Sequence, residues 1–223
     1  MLRDRYLGLL ASVKLHMERN GQRLLPHQVA LLENLDNTYM NPTRVAMCWA
    51  RRLGKTRMLS EIMEYLYNRG TITMYVAPKS PDYALWVHEC IVTLHDIRTI
   101  HGKWPTNLRY GRVVIFIDEP DYIDQEVYRH AIALANEFNL DIITVGTPRS
   151  MNGNMKRSEA VYNIKHWCSL EKAFELAGTE PNFLPNLLFA RKCMDEDTYR
   201  FEGLAGGAFF YGNKEAFDND RRA

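Results

Sequence analysis

Residues 44–57 read RVAMCWARRLGKTR, and the fold turns on how this stretch is parsed. Val45 to Trp49 form an apolar run of strand length. From Ala50 the sequence becomes polar, and a helical pattern predicted over 56–68 follows. A strand, a turn ending in Gly54-Lys55-Thr56 and a helix together form an arrangement that cradles the phosphates of a nucleotide. Backbone N–H groups and the helix N-terminus face the anion, the lysine reaches the β- and γ-phosphates, and the threonine hydroxyl ligates Mg2+. The full phosphate-loop pattern carries an earlier glycine at the position held here by Trp49. On Gly-Lys-Thr alone, a lysine at an ordinary helix start is the bland alternative, and the rest of the chain decides against it.

Composition narrows the classes. A chain of 223 residues is long enough for one domain with a substantial core. Charged residues make up 25% and hydrophobic ones 46%, and the formal net charge of +1 provides no bulk field for a nucleic acid or a membrane. Cys48, Cys90, Cys168 and Cys193 are scattered with no C-x-x-C pair, which suits free thiols in a reducing compartment better than disulfides or zinc. No apolar run is long enough to span a bilayer, and Arg3, Asp4 and Arg5 argue against a signal peptide, so no membrane association is expected.

Upstream of the loop, residues 2–19 carry apolar groups at helical spacing, which predicts a helix on the domain's flank. A second helix is predicted from Pro26, since proline suits a helix's first turn. Gln28 falls near its start, and a side-chain amide offers the donor and acceptor that match adenine's N7 and N6. Downstream, a strand is predicted over 72–77, a helix over 82–96 and a short strand over 97–100. Val113-Val114-Ile115-Phe116-Ile117 then reads as a strand buried on both faces of a parallel sheet. A helix over 125–138 and a strand over 140–145, ending at Gly146-Thr147, continue the alternation.

Strands alternating with helices specify an α/β fold with a mostly parallel sheet flanked by helices. Ligands in such sheets bind beyond the C-terminal strand ends, where Lys55, Asp118 and Thr147 fall. The alternation weakens after Ser150. A strand over 161–167, a helix over 170–176, a loop over 178–185 and a helix over 195–201 are expected, before a glycine-containing end. The domain is expected to run over 1–210, with a helix in 1–23, a lid- or linker-like, irregular appendage over 151–210 and a polar tail over 211–223.

The second half of an ATPase signature lies at Asp118-Glu119, an acidic pair delivered by the apolar strand. The aspartate helps hold Mg2+, and the glutamate orients and deprotonates the attacking water. Its presence favours hydrolysis over passive binding of the nucleotide. Taken with Gly54-Lys55-Thr56, in the right order and context, this makes a Mg2+–ATP site the expectation.

At this point the sequence resembles the ATPase domain of the large terminase subunit, the motor that packages DNA into tailed bacteriophages and related viruses. In that family the phosphate loop commonly lacks its first glycine and carries an early arginine, as Ala50-Arg51-Arg52-Leu53-Gly54-Lys55-Thr56 does here. Leu25-Pro26-His27-Gln28 resembles its adenine-contacting glutamine motif, Val114–Glu119 its acidic strand, and Val145-Gly146-Thr147 its coupling motif. Asn107-Leu108-Arg109 resembles an element whose arginine reaches a neighbouring subunit's nucleotide.

The resemblance implies an additional-strand (ASCE), RecA-like P-loop NTPase with Mg2+ and ATP as cofactors. Thr56 and Asp118 would be the metal ligands, and Glu119, Arg51 in cis and Arg109 in trans the catalytic residues. Gln28, Arg51, Arg52, Leu53, Gly54, Lys55, Thr56 and Thr147 would surround the nucleotide. It implies double-stranded DNA as partner, a homo-oligomeric ring on a portal, a small terminase subunit or a nuclease as companion, and the cytoplasm of an infected host cell as location. Pro120 departs from the family's usual alanine, and the segment before the acidic strand is short. The family's nuclease carboxylates have no counterpart in the tail holding Asp218 and Asp220, so no nuclease activity is expected. The rival readings are a helicase-like, nucleic-acid-dependent ATPase, a small-molecule kinase, and a non-catalytic assembly protein that binds ATP.

Overall fold

The computed structural model describes residues 5–77, 113–147, 153–157 and 162–194. The expected helices over 82–96 and 195–201, the short strand over 97–100 and Arg109 lie outside the described residues.

Among the described residues five strands form one sheet: β1 (Arg44–Trp49), β2 (Ile72–Val76), β3 (Val113–Asp118), β4 (Asp141–Gly146) and β5 (Ile164–Cys168). Their spatial order is β2-β3-β4-β1-β5, and every pairing is parallel. β4 therefore lies between the strand bearing the loop and the strand bearing the acidic pair. That additional strand makes this an α/β P-loop NTPase of the ASCE type, as the sequence predicts.

All six residues of β1, β3 and β4 are buried, as parallel strands covered on both faces require. Alternation sorts them. Val114 and Phe116 point to one face with Val45, Met47, Trp49, Ile143 and Val145, while Val113, Ile115, Ile117 and Ile142 point to the other. Each such side chain taken fully out of water contributes roughly 1.5–3 kcal/mol.

The first face is covered by α1 (Leu9–Arg19), α2 (Pro26–Asp36), α3 (Lys55–Asn68), α6 (Leu170–Ala177) and α7 (Leu184–Lys192). The second is covered by α4 (Gln125–Glu137), whose N-terminus is capped by Asp124 accepting from the amides of Glu126 and Val127. The one-turn helix α5 (Asn154–Arg157) sits against Ala46 and Cys48 through Met155.

In α1 the buried residues are Leu9, Val13 and Met17, one every fourth position, so the helix packs as predicted on the flank. It begins seven residues later than the apolar spacing suggests. The segment before it is pinned instead: Tyr6 donates to Asp141 at 2.9 Å, Arg5 pairs with the same carboxylate, and Tyr65 donates to the Leu7 carbonyl at 2.5 Å. Asp141 also accepts from the Thr43 amide, at 2.8 Å. On α3, Arg57 is paired with Glu61 at 3.0 Å, and His16 of α1 meets that carboxylate at 2.8 Å.

Past Ser150, the described residues form regular elements. β5 enters the main sheet beside β1, and α7 starts at Leu184, inside the expected loop over 178–185. Pro185 occupies the first turn of α7 rather than ending the loop, and Leu187 and Ala190 bury its inner face.

Candidate functional site

The loop after β1 closes through two left-handed residues, Arg52 at φ 66° and Gly54 at φ 81°. Glycine is required at position 54 for a second reason: a Cβ there would lie 2.7 Å from the Gln28 amide nitrogen. Arg51, Arg52 and Thr56 are exposed, whereas Leu53 and Lys55 are buried. Trp49 is the last residue of β1 and points into the first-face core with no exposed surface. Its backbone starts the loop, while its side chain is a core element, which explains how a tryptophan stands where the usual pattern has glycine.

Lys55 enters α3 directly after Gly54 and folds back into the loop. Its Nζ donates to the carbonyls of Trp49 and Ala50, each at 3.2 Å, and to Thr147 Oγ1 at 2.7 Å. Thr147 in turn donates to the Trp49 carbonyl at 3.0 Å. The ammonium thus lies at the junction of the β1 and β4 ends, 3.7 Å from Glu119 Oε1.

Asp118 ends β3 and is 5% exposed. Its Oδ2 accepts from Tyr75 of the adjoining β2 at 2.7 Å, and its Oδ1 is buried with no hydrogen-bond partner. Burial, helped by the neighbouring Glu119 charge, pushes the carboxyl up to about 6, while the Tyr75 hydroxyl and Lys55 act in the other direction. A buried carboxylate oxygen with no donor facing it is a ready oxygen ligand for a divalent cation. With the Thr56 hydroxyl, the residues present fit Mg2+.

Glu119 adopts a left-handed conformation, φ 47°, that turns the chain out of the sheet. Its amide donates to the Val145 carbonyl at 2.8 Å, and its Oε2 accepts from the Thr147 amide at 3.1 Å. Gly146 allows this approach, since a Cβ there would stand 2.9 Å from the Pro120 ring. The following turn is held by Asn154, which donates to the carbonyls of Pro120 at 2.8 Å and Ile123 at 3.2 Å, and by Asp121, which accepts from the Met155 amide at 3.0 Å. Glu119 is 31% exposed, so its carboxylate is open to water on one side.

Gln28, on the first turn of α2, is 5% exposed. Its Oε1 accepts from the Leu25 amide at 2.9 Å and its Nε2 donates to the Leu53 carbonyl at 3.3 Å. A cleft of about 510 Å³ opens beside it, bordered by Leu25, Arg52, Gly54, Asn186 and Phe189.

The structure brings Lys55, Asp118, Glu119 and Thr147 together at the C-terminal ends of β1, β3 and β4, with Thr56 at the start of α3 and Gln28 behind the loop. Sequence reasoning missed the supporting residues Tyr75, Asn154 and His166, the last accepting from the Trp49 indole at 2.9 Å, and read His27 only as part of the Leu25–Gln28 motif. No local spacing signals them, because each meets its partner from another element.

No protein-family model matches the sequence, and no curated protein matches it. Among solved structures, the chain is similar to a replication initiator DnaA bound to AMPPCP and single-stranded DNA. The TM-score is 0.44 and the identity 14%, over 85% of this chain and 61% of that one. It is similar also to a DNA replication initiation factor, at TM-score 0.42 and 13% identity, over 86% of this chain and 61% of that one. The chain therefore spans less than two thirds of each. The fold assignment rests on the strand order and the loop geometry described above. Among the described residues no helix is long and apolar enough to cross a membrane.

Proposed function

We propose that the chain is the ATP-hydrolysing motor domain of a viral DNA-packaging terminase, acting on double-stranded DNA in the host cytoplasm. The observation that carries the ATPase part is the contact set at the strand ends. One ammonium and one water-facing carboxylate meet there on Thr147, and one orphaned carboxylate oxygen lies at the end of the adjoining β3. The terminase part rests on the sequence resemblance, above all the loop with Arg51 and the acidic strand.

In this reading Lys55 leaves the loop carbonyls to meet the β/γ-phosphates, and Arg51 approaches the γ-phosphate from the same loop. Thr56 and Asp118 would hold Mg2+, which would supply charge neutralisation on the phosphate oxygens. Glu119 orients and takes a proton from the attacking water, held in place by the Thr147 amide. Gln28 borders the base cleft and keeps one Nε2 hydrogen beyond its bond to the loop. Arg109 acts across a subunit interface in a ring assembled on a portal, with a nuclease or small terminase subunit as companion.

The test is phosphate release with Mg2+–ATP, with and without double-stranded DNA. Wild type should turn over, DNA should stimulate it, and Lys55→Ala should abolish nucleotide binding. Nucleotide affinity unchanged in Lys55→Ala removes the ATPase reading. Stimulation by single strands with duplex unwinding favours the helicase-like reading, and binding without turnover favours an assembly protein.

A further inference from the structure

We infer that His27 is a positioning residue for the phosphate loop, acting through the carbonyl of Leu53; this rests on the nucleotide reading above. His27 is 1% exposed, and its Nε2 lies 3.2 Å from the Leu53 carbonyl oxygen. A carbonyl only accepts, so Nε2 carries the proton. The other ring nitrogen, Nδ1, is buried with no partner, which fits a neutral ring. Burial also holds the imidazole down to about 4, so the ring keeps this tautomer throughout the neutral range.

Gln28 donates to the same oxygen at 3.3 Å, so the first turn of α2 places two donors on one peptide carbonyl. Leu53 precedes Gly54, and in a planar trans peptide the C=O and the following N–H point in opposite directions. A Leu53 carbonyl drawn toward α2 therefore turns the Gly54 N–H away from α2, into the concave side of the loop where an anion sits. Two donors from one rigid helix hold that orientation before any ligand arrives, so the loop does not spend binding free energy on ordering the peptide.

The ring itself is fixed edge-on against Trp49, with centroids 4.7 Å apart and planes at 84°. Trp49 is held in turn by its indole N–H on His166. The residue that displaces the usual first glycine thus forms the wall against which His27 is aligned. Since the device acts on a loop peptide rather than a base, it predicts equal service to any polyphosphate.

The experiment measures Mg2+-dependent affinities for ATP, GTP and inorganic tripolyphosphate in three proteins: wild type, His27→Phe and His27→Gln. His27→Phe keeps a ring against Trp49 and loses the donor, and one hydrogen bond's worth of ordering is about a 3- to 10-fold loss of affinity. The loss should be the same factor for all three ligands. His27→Gln, whose amide nitrogen reaches the same depth, should recover affinity to within about 2-fold.

A loss confined to ATP, unchanged affinity in His27→Phe, or failure of His27→Gln to recover overturns the inference. If His27→Phe does not fold, the tautomer decides. Nitrogen-15 spectra of wild type should show His27 protonated at Nε2, and protonation at Nδ1 overturns the assignment. Wild type that binds none of the three anions overturns the nucleotide reading, and this inference with it. Binding by wild type with no change in the variants overturns this inference alone.

Discussion

Thr147 accepts the Lys55 ammonium at 2.7 Å on its hydroxyl while its backbone amide holds the Glu119 carboxylate at 3.1 Å. A single residue at the end of β4 therefore touches both the ammonium and the carboxylate to which the proposed function gives phosphate and water. Thr147→Val removes the hydroxyl and keeps the shape and the amide. The expected result is a turnover loss of about 10-fold, the scale of a buried charge-assisted hydrogen bond, with Thr147→Ser near wild type. A Thr147→Val protein with unaltered steady-state turnover refutes the bridge.

Glu119→Gln keeps the side chain's size and its hydrogen bond from Thr147 while removing the proposed base. Nucleotide affinity should stay within a few-fold and turnover should fall by roughly 10²–10⁴-fold. Equilibrium binding compared with single-turnover hydrolysis separates the two effects. Equal losses in both assign Glu119 to structure or to direct metal ligation instead.

His166 accepts the Trp49 indole hydrogen on Nδ1, and burial holds its pKa down to about 4 against an ordinary 6.5. The unfolded chain therefore binds the proton first, so stability falls as pH drops from above 6.5 toward 4. His166→Asn preserves an acceptor in place of Nδ1 and removes the titration. Wild type should lose on the order of 1–2 kcal/mol relative to this variant between about pH 7.5 and about pH 5. Urea unfolding midpoints at the two pH values check it, and parallel pH dependences contradict it.

Subunit mixing tests Arg109. If it serves a neighbour's nucleotide, Arg109→Ala chains mixed with Lys55→Ala chains should recover part of the activity that each lacks alone. The expected ceiling is roughly a quarter of wild type for randomly paired chains, and ATPase activity per subunit should rise with protein concentration. Mixtures that stay inactive while both variants assemble with wild type exclude a trans role.

What was legible in the sequence depended on how local its cause was. Val113–Ile117 announced a strand covered on both faces, because five apolar residues in a row leave no polar side for water. Lys55, Asp118 and Thr147 could be gathered at one edge because parallel strands all deliver their C-terminal ends there. The supporting contacts are of another kind. Trp49 and His166 lie 117 positions apart and meet only because β5 pairs with β1. α7 was hidden because Pro185, read as a loop residue, occupies a helix's first turn, and its exposed Leu188 and Phe189 blur the amphipathic stripe.

The pinning of Arg5 and Tyr6 to Asp141 gives the molecule a usable handle. Asp141 opens β4 and Thr147 follows its last residue, so the anchored segment and the chemistry occupy opposite rims of the sheet, roughly 20 Å apart. Leu7, between the anchor and α1, is 58% exposed. A fluorophore or surface tether attached there would report on, or restrain, the far rim of the sheet. It would leave the rim bearing Lys55, Glu119 and Thr147 unobstructed, which makes this position a natural point of attachment for single-molecule tests of the proposed ATPase.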